Sequence, residues 1–321
     1  MATAEQIKSL IRSHLNDNTE QFYASALQIA AHEARQGHSG LAYEIRDLVD
    51  KARSRSTSSK VLAFPQDMAG LILSEEPSRP LASLVVHDDL KQRIDRIITE
   101  FRQQGRLKKH GLSHRRKVML SGPPGTGKTM TAQVLASELK QPLHIIQMDR
   151  LVTKFMGETG AKLRQIFDRI RIAPGVYFFD EFDAIGGERD LGNDVGEMRR
   201  VLNAFLQFIE NDPSDNLIVA ATNNPRLLDR ALFRRFDDIL HYQMPDIDQR
   251  KRLIANLLGT FLGKRFPLDK AAQQGEGLSH SEIDTACRDA IKLCILGNKS
   301  SVSFTALHKL LQERHAAYRI R

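Results

Sequence analysis

The chain has 321 residues, 41% of them hydrophobic and 27% charged, and a net charge of +8. That balance describes a soluble globular protein with room for about two domains. It excludes a membrane protein, because apolar runs such as 176–179 and 217–221 fall far short of the ~18 residues a span needs. Two cysteines, Cys287 and Cys294, supply neither a disulfide framework nor a zinc set and read as small, half-buried hydrophobes. With no apolar leader at the amino terminus, a reducing cytoplasm is expected.

Residues 1–57 are expected to hold two or three amphipathic helices. Ile7, Leu10, Ile11 and Leu15 share one helical face, and Phe22, Ala26, Ile29 and Ala30 a second. Leu41, Ile45, Leu48 and Val49 make a third, starting near Ser39 or Gly40. Such a unit serves equally as a stabilising cap or as a docking module. Residues 58–81 change character: polar, Ser-rich sequence leads to Pro65, Pro77 and Pro80, which reads as a linker.

Between 82 and 246, short apolar runs at 118–120, 143–146, 176–179, 217–221 and 239–242 alternate with longer periodic stretches. Runs of that length suit buried parallel strands, so the alternation predicts an α/β doubly wound parallel sheet. From 247 to 321 strand patterns cease, and helices over 249–261, 281–296 and 304–314 predict a smaller helical domain. A basic cluster of Arg106, Lys108, Lys109, Arg115, Arg116 and Lys117 precedes the first run. Without interleaved aromatics to stack bases, it reads as a solvated helix end and loop rather than a nucleic-acid surface.

Gly122-Pro123-Pro124-Gly125-Thr126-Gly127-Lys128-Thr129 has the spacing of a phosphate-binding loop. Its glycines let backbone N–H groups turn inward, and the positive end of a following helix adds to the attraction. Lys128 offers a charge to the β- and γ-phosphates, and the Thr129 hydroxyl offers an oxygen to Mg²⁺. The alternative, an ordinary glycine-rich turn, does not explain the apolar run before it or the helical pattern from Met130 after it.

The run 176–179 ends in Asp180-Glu181. At a strand's carboxyl edge Asp180 can hold Mg²⁺ through water, and Glu181 can polarise the attacking water. A surface acidic turn would not follow four consecutive hydrophobes. A third run ends at Asn223-Asn224-Pro225, by itself an ordinary turn signal. In the neighbouring strand Asn223 would reach the γ-phosphate and the nucleophilic water. Met130 and Val85-Val86-His87 are candidate adenine contacts.

These three elements, in this order, resemble the AAA family of ATPases over about residues 82–300. The resemblance implies an AAA P-loop domain with a helical lid, ATP and Mg²⁺ as cofactors, and a ring, usually a hexamer, with ATP bound between subunits. Arg234 and Arg235 look like the family's arginine fingers, adjacent to each other as in spastin-like members. By themselves they read equally as a surface salt-bridge pair. Gly277-Leu278-Ser279-His280-Ser281-Glu282-Ile283 is similar to the lid's Gly-Phe-Ser-Gly-Ala-Asp-Leu segment. His280 departs from the usual glycine, so a nucleotide contact there competes with a solvent-facing histidine.

Lys154-Phe155-Met156-Gly157-Glu158 resembles the first pore loop of protein-threading members. Unaided, Phe155 and Met156 read as core at a helix start; the Gly-Glu-Thr that follows and the family position favour the pore. A glycine-rich loop over 186–196 is expected beside it. Ala31-His32-Glu33-Ala34-Arg35-Gln36-Gly37-His38, with segments 180–186 and 230–238, looks like one bacterial AAA group. Its members are typically encoded beside a subtilisin-like serine protease in plasmid-maintenance or antiphage pairs. That similarity implies a protease partner docked on the N-terminal helices. No Ser-His-Asp constellation is identifiable in this chain.

The resulting expectation is a homo-oligomeric ring that remodels or unfolds a protein substrate through a central pore at the expense of ATP. Two other readings stay open: a nucleic-acid-acting machine such as a helicase loader, motivated by the net charge, and an ATP-switched assembly scaffold, against which Glu181 argues.

Overall fold

The computed structural model describes residues 19–57, 70–151, 156–186, 194–228 and 230–318. The chain separates into two compact units, Met1–Val61 and Leu62–Arg321. In the first, helices α1 (Thr19–Arg35) and α2 (Ser39–Thr57) pack as a hairpin. The reversal uses Gly37 at φ +87, a backbone angle that favours glycine. Tyr23, Ala26 and Val49 form a small core with Phe22, Leu27 and Ile45 against it. The apolar face expected on α2 is only half used, since Leu41 and Leu48 are exposed. The helix expected around Ile7 to Leu15 falls outside the described residues.

The second unit is built on one six-stranded sheet: β1 (Ile72–Glu75), β2 (Lys117–Ser121), β3 (Leu143–Ile146), β4 (Val176–Phe179), β5 (Leu217–Thr222) and β6 (Asp238–His241). Their order is β1-β3-β4-β5-β2-β6, with β2 to β6 all parallel. β1 is antiparallel to β3 at the edge, Ile72 opposite Ile146 and Glu75 opposite Leu143. Residues 72–75 lie in the segment read as linker. Only Ile72 of the four is buried, so the strand leaves little apolar pattern, and pairing with β3 is what makes it a strand. Ser74 Oγ meets His144 Nδ1 at 2.9 Å across that pairing.

Every residue of β4 is buried because both faces of the sheet are covered. Val176 and Phe178 join Leu120, Ile94, Ile97 and Leu135 on one side. Tyr177 and Phe179 join Ile166, Phe167 and Phe205 on the other. Helices α3 (Asp88–Arg102) and α4 (Lys128–Leu139) supply the first layer; α5 (Met156–Ile172) and α6 (Asp194–Glu210) supply the second. The result is a three-layer α/β fold with a mixed sheet.

Four helices follow: α7 (Ile247–Leu258), α8 (Leu268–Gln274), α9 (His280–Leu296) and α10 (Phe304–Tyr318). Asp246 with Gln249 and Ser279 with Glu282 form capping boxes that fix where α7 and α9 begin. α7 stops before 261 because the chain turns at Gly259, φ +49, into a short 3-10 turn. α8 has too few apolar residues to announce itself. Ile254, Leu258, Ala286, Leu307 and Leu311 centre this bundle's core, and the two cysteines are free and fully buried within it. Among the described residues no helix is long and apolar enough to cross a membrane.

Candidate nucleotide site

The strand order brings together what the sequence separates. β4, β5 and β2 are neighbours, and each ends at the same edge in one of the three motifs. Backbone hydrogen bonds tie these ends together: Gly122 N–H to Thr222 O at 3.3 Å, and Phe182 N–H to Ala221 O at 2.8 Å. Asp183 Oδ1 accepts the Asn223 N–H at 3.3 Å. No sequence pattern singles out Asp183; its link to Asn223 depends on β4 and β5 lying side by side.

The phosphate loop runs from β2 into α4, with Gly127 at φ +103 as the helix N-cap. A Cβ on Gly122 would stand 2.4 Å from the Tyr242 carbonyl oxygen, so only glycine fits. The Thr126 hydroxyl donates to Pro123 O at 2.7 Å and stiffens the turn. Lys128 is 6% exposed, and its Nζ donates to Gly122 O and Pro123 O, both at 2.8 Å. Burial holds its pKa down to about 8, against the opposing pull of Asp180 and Asp183.

Thr129 Oγ1 donates to Asp180 Oδ2 at 3.0 Å. A hydroxyl and a carboxylate held this close are the hard oxygen donors that suit Mg²⁺. Glu181 is exposed and has φ +51, unusual for a residue with a side chain, while its N–H bonds Asp180 Oδ1 at 2.9 Å. Strained backbone of this kind concentrates at functional positions. Behind the loop, Tyr242 OH donates to Thr131 Oγ1 at 2.7 Å, a buried brace that no sequence pattern announces.

The helical bundle reaches the loop through the start of α9. Ser281 N–H donates to Gly125 O at 3.0 Å, and a Cβ on Gly125 would stand 2.6 Å from Ser279 Oγ. A cleft of about 380 Å³ opens there, lined by Pro124, Gly125, Leu278, Ser279 and Glu282 among others. Both ring nitrogens of His280 are buried, and burial lowers its pKa to about 4 against the opposing pull of the Val85 backbone. His280 is therefore neutral, and its ring nitrogens do not face solvent. Of the candidate adenine contacts, Val85 packs into the bundle core, Val86 into the sheet core and Met130 against the latter. His87 Nδ1 lies 3.4 Å from Asp246 Oδ2.

Arg234 and Arg235 lie elsewhere. Asp237, two residues on, accepts the N–H groups of Arg116 and Lys117, each at 2.9 Å, at the amino end of β2. A five-residue strand separates that edge from Gly122, a distance on the order of 15 Å. The two arginines are thus remote from the phosphate loop of their own chain. Arg235 forms an ion pair with Glu210. Lys154, Phe155 and the glycine-rich stretch from 187 to 193 are outside the described residues; Met156 opens α5. Half of the basic cluster is paired within the fold: Lys108 with Asp215 at 2.5 Å, Arg116 with Asp212 at 2.5 Å, and Arg115 with Glu100.

A parallel sheet carrying a phosphate loop, with a strand-end acid pair and an asparagine on the adjacent strands, defines a nucleoside triphosphatase of the P-loop class. The profile of the ATPase family associated with various cellular activities (AAA) matches residues 118–244. The uncharacterized AAA family ATPase y4kL of Sinorhizobium fredii is 34% identical over 98% of this chain and 96% of its own length. A putative 26S proteasome regulatory subunit homolog of Methanothermobacter thermautotrophicus is 34% identical over 62% of this chain. The ATP-dependent zinc metalloprotease FtsH 1 of Thermomicrobium roseum is 30% identical over 81% of it. The chain spans 55% and 41% of the length of the last two. The chain belongs to the AAA family of ATPases, and its reaction is ATP hydrolysis.

Proposed function

We propose that this ATPase works as a ring of identical subunits, a hexamer, that remodels or unfolds a protein substrate. The observation that carries the reading is the distance between Arg234 and Arg235 and their own phosphate loop. An always-charged guanidinium is suited to stabilising γ-phosphate charge, and at that edge of the sheet it can serve only the site of another copy. Relatives described as a proteasome regulatory subunit homolog and as an ATP-dependent protease support a protein substrate. Phe155, flanked by Lys154 and Met156, is the residue we assign to gripping that substrate in the pore. Internal pairing of Lys108, Arg115 and Arg116 within the basic cluster weighs against a nucleic-acid substrate.

In this reading Lys128 and the loop amides bind the β- and γ-phosphates. Thr129 and Asp180 hold Mg²⁺, which when bound neutralises phosphate charge. Glu181 orients the attacking water, and Asn223, held by Asp183, positions the γ-phosphate. The residue resemblance to the group encoded beside subtilisin-like proteases extends the proposal: residues 1–57 dock such a protease, in plasmid maintenance or phage defence. Loss of co-purification with a co-expressed neighbouring protease on deleting 1–57 is the result expected of that docking.

Mixing two inactive variants tests the shared site. Lys128→Ala and Arg234→Ala should each abolish turnover alone. Mixed one to one in a random ring, roughly a quarter of the sites join an intact lysine to a neighbour's intact arginine. Activity should therefore reappear on mixing. No recovery in a demonstrably mixed assembly would contradict the shared site.

A further inference from the structure

Two adjacent arginines pose a question that the ring reading leaves open, because side chains at i and i+1 diverge and do not face one point together. The two differ here in their surroundings. Leu232 and Phe236, which bracket them, are buried, and the Arg235 N–H donates to Leu232 O at 3.0 Å, so the backbone is anchored on both sides. Arg235 turns its guanidinium to Glu210, the last residue of α6. The partial negative charge at a helix carboxyl terminus adds to the attraction of that carboxylate. Arg234 is exposed and makes no ion pair or hydrogen bond among the described residues.

We infer that the two arginines have separate duties. Glu210 is a positioning residue that holds Arg235 within its own chain, and this fixes the turn from which Arg234 enters the neighbouring copy's nucleotide site. The inference rests on the shared-site reading above. For Arg235 to serve the neighbour directly, it would have to leave Glu210, and an unpaired carboxylate would then stand near a polyanion. Arg234 pays neither penalty. The Arg235–Glu210 pair is about half exposed on both sides, and exposed pairs contribute little to folding stability. Its removal should register in the orientation of Arg234, and so in turnover, rather than in melting.

Steady-state ATP turnover of the assembled full chain, with equilibrium binding of a fluorescent ATP analogue, tests this. Arg234→Ala should lower kcat about 10³-fold, the scale of losing an arginine finger. Arg235→Ala and Glu210→Gln should each lower kcat about tenfold with KM nearly unchanged. The double variant should be no worse than either single one, as for residues acting as a unit. The charge swap Glu210→Arg with Arg235→Glu should recover most of the loss. The partition is overturned if Arg235→Ala matches Arg234→Ala while Glu210→Gln is silent, or if the double variant is additive. Should both arginine variants turn over ATP normally, the shared site itself fails, an outcome distinct from failure of the partition.

Discussion

Burial and its proposed role pull Lys128 in opposite directions. Its ammonium is almost enclosed, and among the described residues it donates to two loop carbonyls, Gly122 O and Pro123 O. Burial therefore favours the neutral amine, and the pKa falls to about 8. A triphosphate on the loop would favour the charged form and raise that value, so binding above it must take up a proton. ATP affinity should be flat below pH 8 and then fall by up to about tenfold per pH unit. Equilibrium binding between about pH 7 and 9.5 checks this, and constant affinity across that range would contradict it. For folding the sign is reversed from that of a salt-bridged lysine. The unfolded side chain, with pKa near 10.4, holds its proton more tightly than the folded one. This group therefore costs stability below pH 8, and the cost fades as pH rises towards 10.4. Glu181 was readable as the acid after a buried strand, but its positive φ was not. That angle follows from Asp180 capping the Glu181 N–H and from Phe182 bonding back to β5.

At the scale of elements, the contact between phosphate loop and α9 is the join between the α/β domain and the helical bundle. Gly125 has φ +73, and any side chain there would meet Ser279, the N-cap of α9. Gly125→Ala should cost about 1–2 kcal/mol from the left-handed backbone alone. For a unit of this size the melting temperature should fall by roughly 2–8 °C, and ATP affinity should fall with it as α9 is pushed off the loop. Adding Ser279→Gly removes the clash and sacrifices only a few tenths of a kcal/mol of capping. It should restore ATP affinity more than stability. Calorimetry with a binding titration separates the two effects; equal losses in the single and double variants would show that the clash is not what matters. The parallel strands were legible because burial on both faces leaves a continuous apolar run, as in 176–179. β1 was not, because an edge strand needs only one buried residue, and its partner lies 70 residues away in the chain.

The whole molecule works as proposed only if the energy of the shared site reaches a substrate. Phe155→Ala should lower the number of folded substrate molecules unfolded per ATP consumed by tenfold or more, since a large aromatic contact with few rotors to freeze is lost. A fluorescent folded substrate followed alongside phosphate release measures that ratio. An unchanged ratio would remove pore threading while leaving the ATPase intact. The basic cluster before the first parallel strand promised less about partners than its density suggests, because Arg115, Arg116 and Lys108 are paired with Glu100, Asp212 and Asp215 within the fold.

Composition and pattern alone determined the α/β class and the positions of the five parallel strands, and singled out the residues proposed as the phosphate loop. Each of these depends on local chemistry: apolar run length, glycine spacing, an acid pair after a buried strand. Tertiary structure decided which strands are neighbours, and so that Lys128, Asp180 and Asn223 share one edge. It also decided that Arg234 and Arg235 lie at the other edge, with Arg235 held by Glu210. Such distances are set by strand order and direction, which a one-dimensional pattern of residues does not encode.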